Sequence, residues 1–339
     1  MNLTIKDVAS RAGVSTATVS RVINGSGYFS DATKQKVLSA IEELNYTPDI
    51  IAKGLASNQM RIIGVIVPDI CNTFFSEIFY AASKLARQHD YRVILYNTDD
   101  NIMMENDALQ DMLRYRVSGI IMTPVSDTDI TNVDLLKSIQ EVGIPIVFVD
   151  REMKDINCDC VFVDNIRSSY EATKLLLDEG HRDIAVIIGP LDTVPGRERF
   201  AGFTNALNDW GLEIRSEYVL NGDFKAEKSY QKTIQLLESE SPPTAFFSCN
   251  NLMTLGCIKA IRSFGKRIPE NIALIGFDEI EILDILGYEI TVVSRATAEM
   301  GTVAMQLLLE RIKKQKNGLC QRVILQSFLK IKGSEKRCK

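Results

Sequence analysis

Four side chains near the N-terminus have the chemistry of a surface that reads double-stranded DNA. The guanidinium of Arg21 can donate two hydrogen bonds to the major-groove edge of guanine, and the methyl groups of Thr16 and Ala17 can contact thymine. The hydroxyl of Tyr28 can bind a phosphate, which fixes register without reading sequence. Such side chains read bases only if one rigid element carries them into a groove.

The sequence around Arg21 predicts two short helices joined by a tight turn. Apolar residues at helical spacing lie before Gly13 and after Ser15, and Gly13 permits the turn itself. Ser15 can cap the second helix, whose apolar side leaves Arg21 on the outer face. This pattern predicts a helix-turn-helix whose second helix fits a major groove. The alternative is a small three-helix packing unit with a polar surface.

A second group of polar side chains directly follows the predicted strands of the remaining chain. Ligands of open parallel sheets bind at the carboxyl ends of the strands. Carboxylates, amides and guanidinium groups there can hold the hydroxyls of a sugar, and aromatic rings can stack on its apolar face. The residues concerned are Asn72, Phe74, Phe75, Asp150, Arg151, Arg199, Asn250, Asp278 and Arg295.

Apolar strands alternate with amphipathic helices from residue 61 onward, which predicts parallel sheets covered on both faces. The strands are too many for one sheet, so two doubly wound subdomains are expected. The predicted strands span residues 62–67, 92–96, 119–122, 144–149, 160–163, 184–188, 218–220, 245–248, 273–277, 291–293 and 323–329. Examples of the predicted helices are residues 75–88, 107–115, 168–177, 199–210 and 252–264.

Charge is distributed unevenly along the 339 residues, whose length predicts two or three domains. Residues 1–61 hold seven Lys and Arg against five Asp and Glu, a net charge of +2. Because the whole chain has a net charge of −5, the residues after 61 carry a net charge of −7. A weakly basic DNA-binding unit needs pairing with a second copy to gain affinity. The sequence has neither a signal-peptide pattern nor a membrane-spanning apolar stretch, so a cytosolic protein is expected.

The N-terminal sixty residues resemble the headpiece of the LacI/GalR repressor family. The matching stretches are residues 4–9, 12–15 and 18–24, followed by Tyr46 and Pro48. The resemblance implies an α/β fold: a helix-turn-helix headpiece and two doubly wound parallel-sheet subdomains of periplasmic-binding-protein type. The expected headpiece spans 1–58 and includes a hinge helix near 49–57, and the expected core spans 61–333. Within the core, the first subdomain is expected at 61–162 and 292–322, and the second at 163–290 and 323–333.

The resemblance also implies roles for individual residues. Leu55 matches the leucine that this family inserts into the minor groove at the operator's centre, although it could instead pack on Ile50 or Ile51 of its own chain. Phe224 falls where some relatives place an aromatic that stacks on the ligand. The DNA contacts expected in total are Thr4, Lys6, Ser15, Thr16, Ala17, Thr18, Ser20, Arg21, Asn24, Tyr28, Thr33, Ala52 and Leu55.

The predicted cleft resembles those of pentose- and hexose-binding relatives, with Arg295 standing where sugar-responsive relatives commonly carry Gln. Together with Arg151 and Arg199, it gives three cations against two carboxylates, an excess that an anionic ligand would compensate. A sugar acid is therefore the predicted effector, and residues 292–301 also resemble regulators of 2-keto-3-deoxygluconate and uronate use. The alternative is that Arg295 faces a subdomain surface or pairs with Glu299.

Several cleft residues have a purely structural alternative. The two phenylalanines could belong to the core, the two aspartates could be turn residues, and Arg151 could only neutralise Asp150. Asp69 is expected to cap the following helix rather than to contact a ligand. Asn251 stands where relatives commonly carry Asp, so Asn250 is the preferred contact of the pair.

The sequence as a whole predicts a homodimeric repressor that a small sugar or sugar acid releases from a near-palindromic operator. A regulator that needs a phosphoprotein co-repressor, as in the catabolite-control branch, is the alternative; a sugar-binding protein or a sugar-acting enzyme without a DNA role is a remote one. The chain lacks the motifs of serine hydrolases, P-loops and dinucleotide sites, so neither an enzyme nor a cofactor is expected.

Metal binding is not expected either. The seven cysteines are odd in number and scattered, and two histidines supply a metal site poorly. Among the cysteines, Cys71, Cys249 and Cys257 lie between apolar neighbours and are interpreted as small buried hydrophobes.

Overall fold

The chain divides into two compact units, residues 1–60 and 61–339. The computed structural model describes residues 3–24, 27–46, 61–313 and 318–337. The predicted hinge helix with Ala52 and Leu55 lies outside the described residues, as do Cys338 and the side chain of Asn24.

The headpiece contains three helices, α1 (Ile5–Ala12), α2 (Thr16–Asn24) and α3 (Asp31–Glu43). The turn between α1 and α2 contains Gly13 with φ of +67°, a left-handed conformation that glycine adopts without strain. Val8, Val19 and Val37, one from each helix, pack together in a small apolar core. The predicted helix-turn-helix is confirmed.

The first subdomain of the larger unit is a six-stranded parallel sheet in the order β2-β1-β3-β4-β5-β11. Its strands are β1 (Ile62–Val67), β2 (Arg92–Asn97), β3 (Gly119–Met122), β4 (Ile146–Val149), β5 (Asp159–Val163) and β11 (Arg322–Leu325). The helices that cover it are α4 (Thr73–Gln88), α5 (Ile102–Arg114), α6 (Val133–Glu141) and α12 (Thr297–Ile312).

The second subdomain repeats this arrangement in the order β7-β6-β8-β9-β10-β12, with β12 antiparallel to β10. Its strands are β6 (Ile184–Ile188), β7 (Val219–Asn221), β8 (Ala245–Ser248), β9 (Ala273–Phe277), β10 (Thr291–Arg295) and β12 (Ser327–Lys330). Its helices are α7 (Asn165–Asp178), α8 (Val194–Asp209), α9 (Ala226–Leu237), α10 (Asn251–Ser263) and the short α11 (Glu281–Ile285).

Two of the expected crossing points between the subdomains need correction. The chain first crosses directly after β5, near the expected position. It returns after Arg295 rather than near residue 291, because the whole of β10 pairs within the second sheet. It crosses again at Gln326, because the run predicted as one strand at 323–329 is two strands in different sheets. Tyr218 ends a short 3-10 helix, and the strand follows it.

Candidate functional site

The outer face of α2 presents the residues predicted to contact DNA. Thr16, Ala17 and Arg21 are exposed, whereas Val19 and Val22 point into the core. This division follows the helical period, which turns residues three or four apart to one side. Among the other predicted contacts, the exposed ones are Thr4, Lys6, Ser15 and Tyr28, and the half-buried ones are Thr18, Ser20 and Thr33.

Several of these hydroxyls also cap helices. The Ser15 hydroxyl accepts the backbone N–H of Thr18 at 3.1 Å, and the Ser30 hydroxyl accepts that of Thr33 at 3.2 Å. At α1, Thr4 donates its backbone N–H to the carboxylate of Asp7 at 2.7 Å, which lowers the pKa of Asp7. These caps fix the starts of the helices that carry the exposed surface. Tyr28 is 96% exposed and lies in the segment between α2 and α3.

A cleft with an empty volume of about 430 Å³ lies between the two subdomains of the larger unit. All ten predicted effector residues line it: Asn72, Phe74, Phe75, Asp150 and Arg151 from the first subdomain, and Arg199, Phe224, Asn250, Asp278 and Arg295 from the second. Five lining residues were not predicted as contacts, namely Asp69, Asp100, Pro195, Lys225 and Leu252. Asp100 follows β2, so the strand-end rule applied to every strand would have found it.

The two aspartates of the cleft stand at strand ends in a left-handed conformation. Asp150 follows β4 with φ of +65°, and Asp278 follows β9 with φ of +73°. Aspartate tolerates this conformation better than most residues, but such strained positions occur preferentially at functional sites. Asp150 and Asp278 therefore each stand where the chain turns after a strand and also line the cleft.

Phe224 also has positive φ, +53°, and its ring is accommodated by a glycine. A Cβ atom at Gly189 would lie 2.1 Å from the ring of Phe224, so only glycine leaves room for it. Phe74 and Phe75 are buried and belong to the core of the first subdomain, while both also line the cleft. Their rings meet edge to face with centroids 4.9 Å apart.

Arg295 is held by carboxylates of both subdomains. Its Nε and Nη2 donate to Asp278 at 2.5 and 2.7 Å, and its Nη1 donates to Asp150 at 2.7 Å. The guanidinium lies over the ring of Phe74, 3.6 Å from its centroid. Burial acts to lower the pKa of Arg295, but the two carboxylates outweigh it and raise the pKa. Neither expected alternative, a subdomain surface or Glu299, describes this residue.

Arg199 is fully buried but less completely paired. Its Nε donates to Asn165 at 2.9 Å and its Nη1 to the carbonyl of Cys249 at 2.6 Å. Its Nη2 is buried without a hydrogen-bond partner among the described residues and lies 3.9 Å from Asp150. Burial, and then the nearby charge of Arg295, lower the pKa of Arg199 to about 10, so it stays charged at neutral pH.

Arg151 pairs with a different carboxylate from the expected one. Its Nη1 donates to Asp100 at 2.9 Å rather than to Asp150, and also to the carbonyl of Val125 at 2.9 Å. Its Nε is buried without a hydrogen-bond partner in the described part of the chain. Because Asp100 and Asp69 line the cleft, four carboxylates face four cations, the three arginines and Lys225. The premise of an excess positive charge was wrong.

The asparagines have positions that the sequence only partly predicts. Asn72, and not Asp69, caps α4 by accepting the N–H of Phe74 at 3.0 Å, while Asp69 accepts the N–H of Cys71 in a local turn. Asn250 caps α10, accepting the N–H of Met253 at 2.8 Å. The neighbouring Asn251 reaches from the second subdomain to the first and donates to Asn72 at 2.8 Å.

The cysteines give no metal site among the described residues, where no group of three His, Cys, Asp or Glu side chains is arranged to hold an ion. Cys249 and Cys257 are buried as expected, and burial raises the pKa of both thiols to about 12. Cys71 is exposed, which corrects the expectation of a buried hydrophobe. Within the described ranges, no helix is both long and apolar enough to cross a membrane.

Comparison with known families decides the identity of both units. Residues 60–332 match the family described as periplasmic binding proteins and sugar binding domain of LacI family, and residues 4–49 match the bacterial regulatory proteins of the lacI family. The chain belongs to the LacI family. It is a DNA-binding transcriptional repressor of that family rather than an enzyme, and several of its curated relatives are named as transcriptional repressors.

Two curated relatives cover almost the whole chain. The transcriptional repressor PurR of Pasteurella multocida is 36% identical over 312 residues, 92% of each chain. Catabolite control protein A of Priestia megaterium is 34% identical over 316 residues, 93% of this chain and 94% of the relative.

Solved structures of LacI-family proteins have the same fold. The lac repressor dimer bound to operator and the anti-inducer ONPF is similar with a TM-score of 0.87 and 27% identity, covering 99% of this chain and 100% of that one. A LacI family regulator from Enterococcus faecium with bound ribose gives a TM-score of 0.73 and 27% identity, covering 82% of this chain and 100% of that one.

Proposed function

We propose that this regulator binds a near-palindromic operator as a homodimer in the cytoplasm, and that a small neutral polyhydroxylated compound, such as a monosaccharide, binds the cleft and releases it. The proposed binding to DNA is supported by the exposed face of α2, where Thr16, Ala17 and Arg21 form a surface with groove-reading chemistry. The similar lac repressor is a dimer on its operator. Two half-sites read by two headpieces would compensate for the low positive charge of each.

The observation that carries the effector half is a pair of unused donors in the cleft. Arg199 Nη2 and Arg151 Nε are buried without hydrogen-bond partners among the described residues. Buried donors are rarely left unpaired, so they favour a ligand that supplies hydroxyl oxygens. Phe224 and Phe75 add apolar surface for the carbon face of a sugar ring.

A neutral ligand fits better than a sugar acid because the charges of the cleft already balance. Arg295, the residue that suggested an anion, makes three hydrogen bonds to Asp150 and Asp278. A carboxylate on the ligand would have to compete with two buried carboxylates for that guanidinium, at a large desolvation cost. The ribose bound by the similar Enterococcus faecium regulator is a neutral sugar.

A purine base is a second candidate, favoured by the 36% identity to PurR and by the aromatic rings in the cleft. A planar base could stack on Phe224, whose ring borders the cleft. The ring of Phe74 is less suited to stacking because the guanidinium of Arg295 lies 3.6 Å from its centroid, whereas the guanidinium of Arg151 is 5.6 Å from that of Phe224. A phosphoprotein co-repressor remains the alternative that the likeness to catabolite control protein A favours.

A thermal-shift panel of D-ribose, D-glucose, D-galacturonate and hypoxanthine tests the effector class. We expect one of the neutral sugars to raise the melting temperature of the wild type and not that of Arg199→Lys, which keeps the charge but loses the Nη2 donor. Arg215→Lys is the matched control, because Arg215 is half-exposed and pairs with Asp183 within the second subdomain. Stabilisation by galacturonate or hypoxanthine alone would replace the proposed class.

A further inference from the structure

A salt bridge joins the two subdomains beside the cleft. Asp127, in the segment after β3 of the first subdomain, accepts hydrogen bonds from both terminal nitrogens of Arg197 on α8 of the second, with Nη1 at 3.0 Å. The Asp127 side chain is 1% exposed and that of Arg197 is 40% exposed. The backbone N–H of Asp127 also donates across the boundary, to the carbonyl of Asp192 at 3.1 Å. We call Asp127, Asp192 and Arg197 the clasp.

The segment that carries Asp127 is held by two residues of the first subdomain, Arg151 and Glu105. Arg151, which lines the cleft, donates through Nη1 to the carbonyls of Pro124 at 3.3 Å and Val125 at 2.9 Å. The backbone N–H of Val125 donates to the buried carboxylate of Glu105 at 2.7 Å. Movement of Arg151 would therefore move the loop, and with it the position of Asp127.

The burial of Asp127 makes the clasp sensitive to its partner. A buried carboxylate that loses its only cationic partner is strongly destabilised, whereas a solvent-exposed one is not. Without Arg197, the closed arrangement would hold an uncompensated charge, and opening the subdomains would return Asp127 to water. The pair thus favours the closed arrangement over the open one.

We propose that the clasp keeps the two subdomains closed in the absence of effector, and that the 124–127 segment transmits contacts at Arg151 to it. Asp127 and Arg197 then position the residues of the cleft without lining it. They do so by holding the subdomains closed and through the segment that Arg151 contacts. Closure without ligand does not depend on the identity of the effector, and only the transmission through Arg151 rests on the proposed function.

Residue-resolved hydrogen–deuterium exchange of the ligand-free full-length protein tests closure directly. The amide of Asp127 bonds across the boundary, while the amide of Val125, two residues earlier, bonds within the first subdomain and serves as the internal control. In Arg197→Ala we expect the exchange of Asp127 to rise on the order of tenfold to a hundredfold, as for loss of a charged hydrogen bond, with Val125 unchanged.

Two further variants separate the clasp from general destabilisation. Arg114→Ala removes an exposed pair with Asp111 within α5 and should leave both amides unchanged. Asp127→Asn keeps the volume of the side chain but not its charge, and it should raise the exchange rate of the backbone amide at position 127. Unchanged protection of Asp127 in Arg197→Ala and Asp127→Asn would overturn closure by the clasp, as would an equal rise at Val125.

The transmission is tested by Arg151→Lys, which keeps a charge beside Asp100 but removes Nη1, the nitrogen that donates to both carbonyls. We expect faster exchange of Asp127 in this variant, again without ligand. If exchange stays at the wild-type rate, Arg151 does not hold the segment and the transmission is wrong. Absence of any sugar response in the thermal-shift panel would instead contradict the proposed effector and leave closure by the clasp standing.

Discussion

The headpiece and the cleft use arginine in opposite ways. Arg21 stands exposed on α2, where water solvates its guanidinium and where, in the proposed function, DNA would replace that water. The side chain of Arg295 is 2% exposed and makes three hydrogen bonds to carboxylates of both subdomains. The first arginine can be removed at little cost to folding, whereas the second is part of what holds the folded core together.

This difference follows from the partners that each surface serves. DNA supplies phosphates and base edges from outside, so the reading surface needs rigid but unburied side chains. A cleft that encloses a small ligand must bury its polar groups before the ligand arrives, and buried charge requires a partner within the protein. A substitution on the DNA-reading surface can therefore change recognition without changing the stability of the headpiece. A substitution of a buried charge in the cleft changes both ligand recognition and the stability of the core.

The largest expected effect on stability comes from Asp278→Asn, which leaves Arg295 buried with Asp150 as its remaining carboxylate. We expect a loss of about 3 kcal/mol in the free energy of unfolding, as for a buried ion pair that loses one partner. Urea unfolding followed by the fluorescence of Trp210, the single tryptophan, measures it in the second subdomain. Asp178→Asn, which breaks an exposed pair with Lys174, is the control and should change stability little. Equal effects of the two variants would contradict the account.

Arg21→Ala should act on binding instead of folding. A bidentate contact to guanine discriminates by about 1–3 kcal/mol, and two half-sites double the loss. Fluorescence anisotropy on a selected operator duplex and on scrambled DNA of equal length measures the specific part. The melting temperature of the headpiece should remain that of the wild type. Retained preference for the operator would show that α2 does not read it through Arg21.

Acid sensitivity just below neutral pH should arise in the core, because the headpiece sequence has no histidine. His181 is buried between Thr244 and the carbonyl of Glu335, and burial lowers its pKa. The unfolded chain therefore binds the proton more readily. The contribution of His181 to stability is present above pH 6.5, its ordinary pKa, and is lost as pH falls from there toward the folded-state pKa.

Urea unfolding of wild type and His181→Gln across this pH range isolates the effect of one proton. The stability of the wild type should fall relative to the variant on acidification, by at most ~1.4 kcal/mol per pH unit. Parallel curves for the two proteins would mean that His181 does not titrate differently on unfolding.

The smallest effect is expected for Tyr28→Phe. Only a hydroxyl is removed from a residue that is 96% exposed, so stability should be unchanged. Loss of a phosphate contact should weaken binding by about 1 kcal/mol or less per half-site, uniformly across operator variants. A change of preference at one base pair would assign Tyr28 to base reading.

The headpiece could be predicted because its signals are local. Gly13, the capping residues and the apolar spacing of α1 and α2 all lie within about twenty residues, and each acts over three or four positions. The cleft positions could also be predicted, since parallel strands bring their carboxyl ends together wherever they occur in the chain.

The pairing within the cleft could not be predicted because it joins distant parts of the chain. Arg295 and Asp150 are 145 residues apart, and Arg197 and Asp127 are 70 apart. Omission of Asp100 made the charge count wrong and led to the sugar acid. The apolar run around Gln326 gave no sign of a change of sheet, because both strands it contains are equally suited to pairing.

Operator release by a cleft ligand tests the central claim most directly. Operator affinity of the full-length protein is measured by anisotropy without and with a saturating amount of the neutral sugar that stabilises it most. We expect affinity to fall by about 5- to 150-fold, the usual range of allosteric coupling, and to stay constant in Arg199→Lys. A sugar that binds the wild-type cleft and leaves operator affinity unchanged would contradict the account.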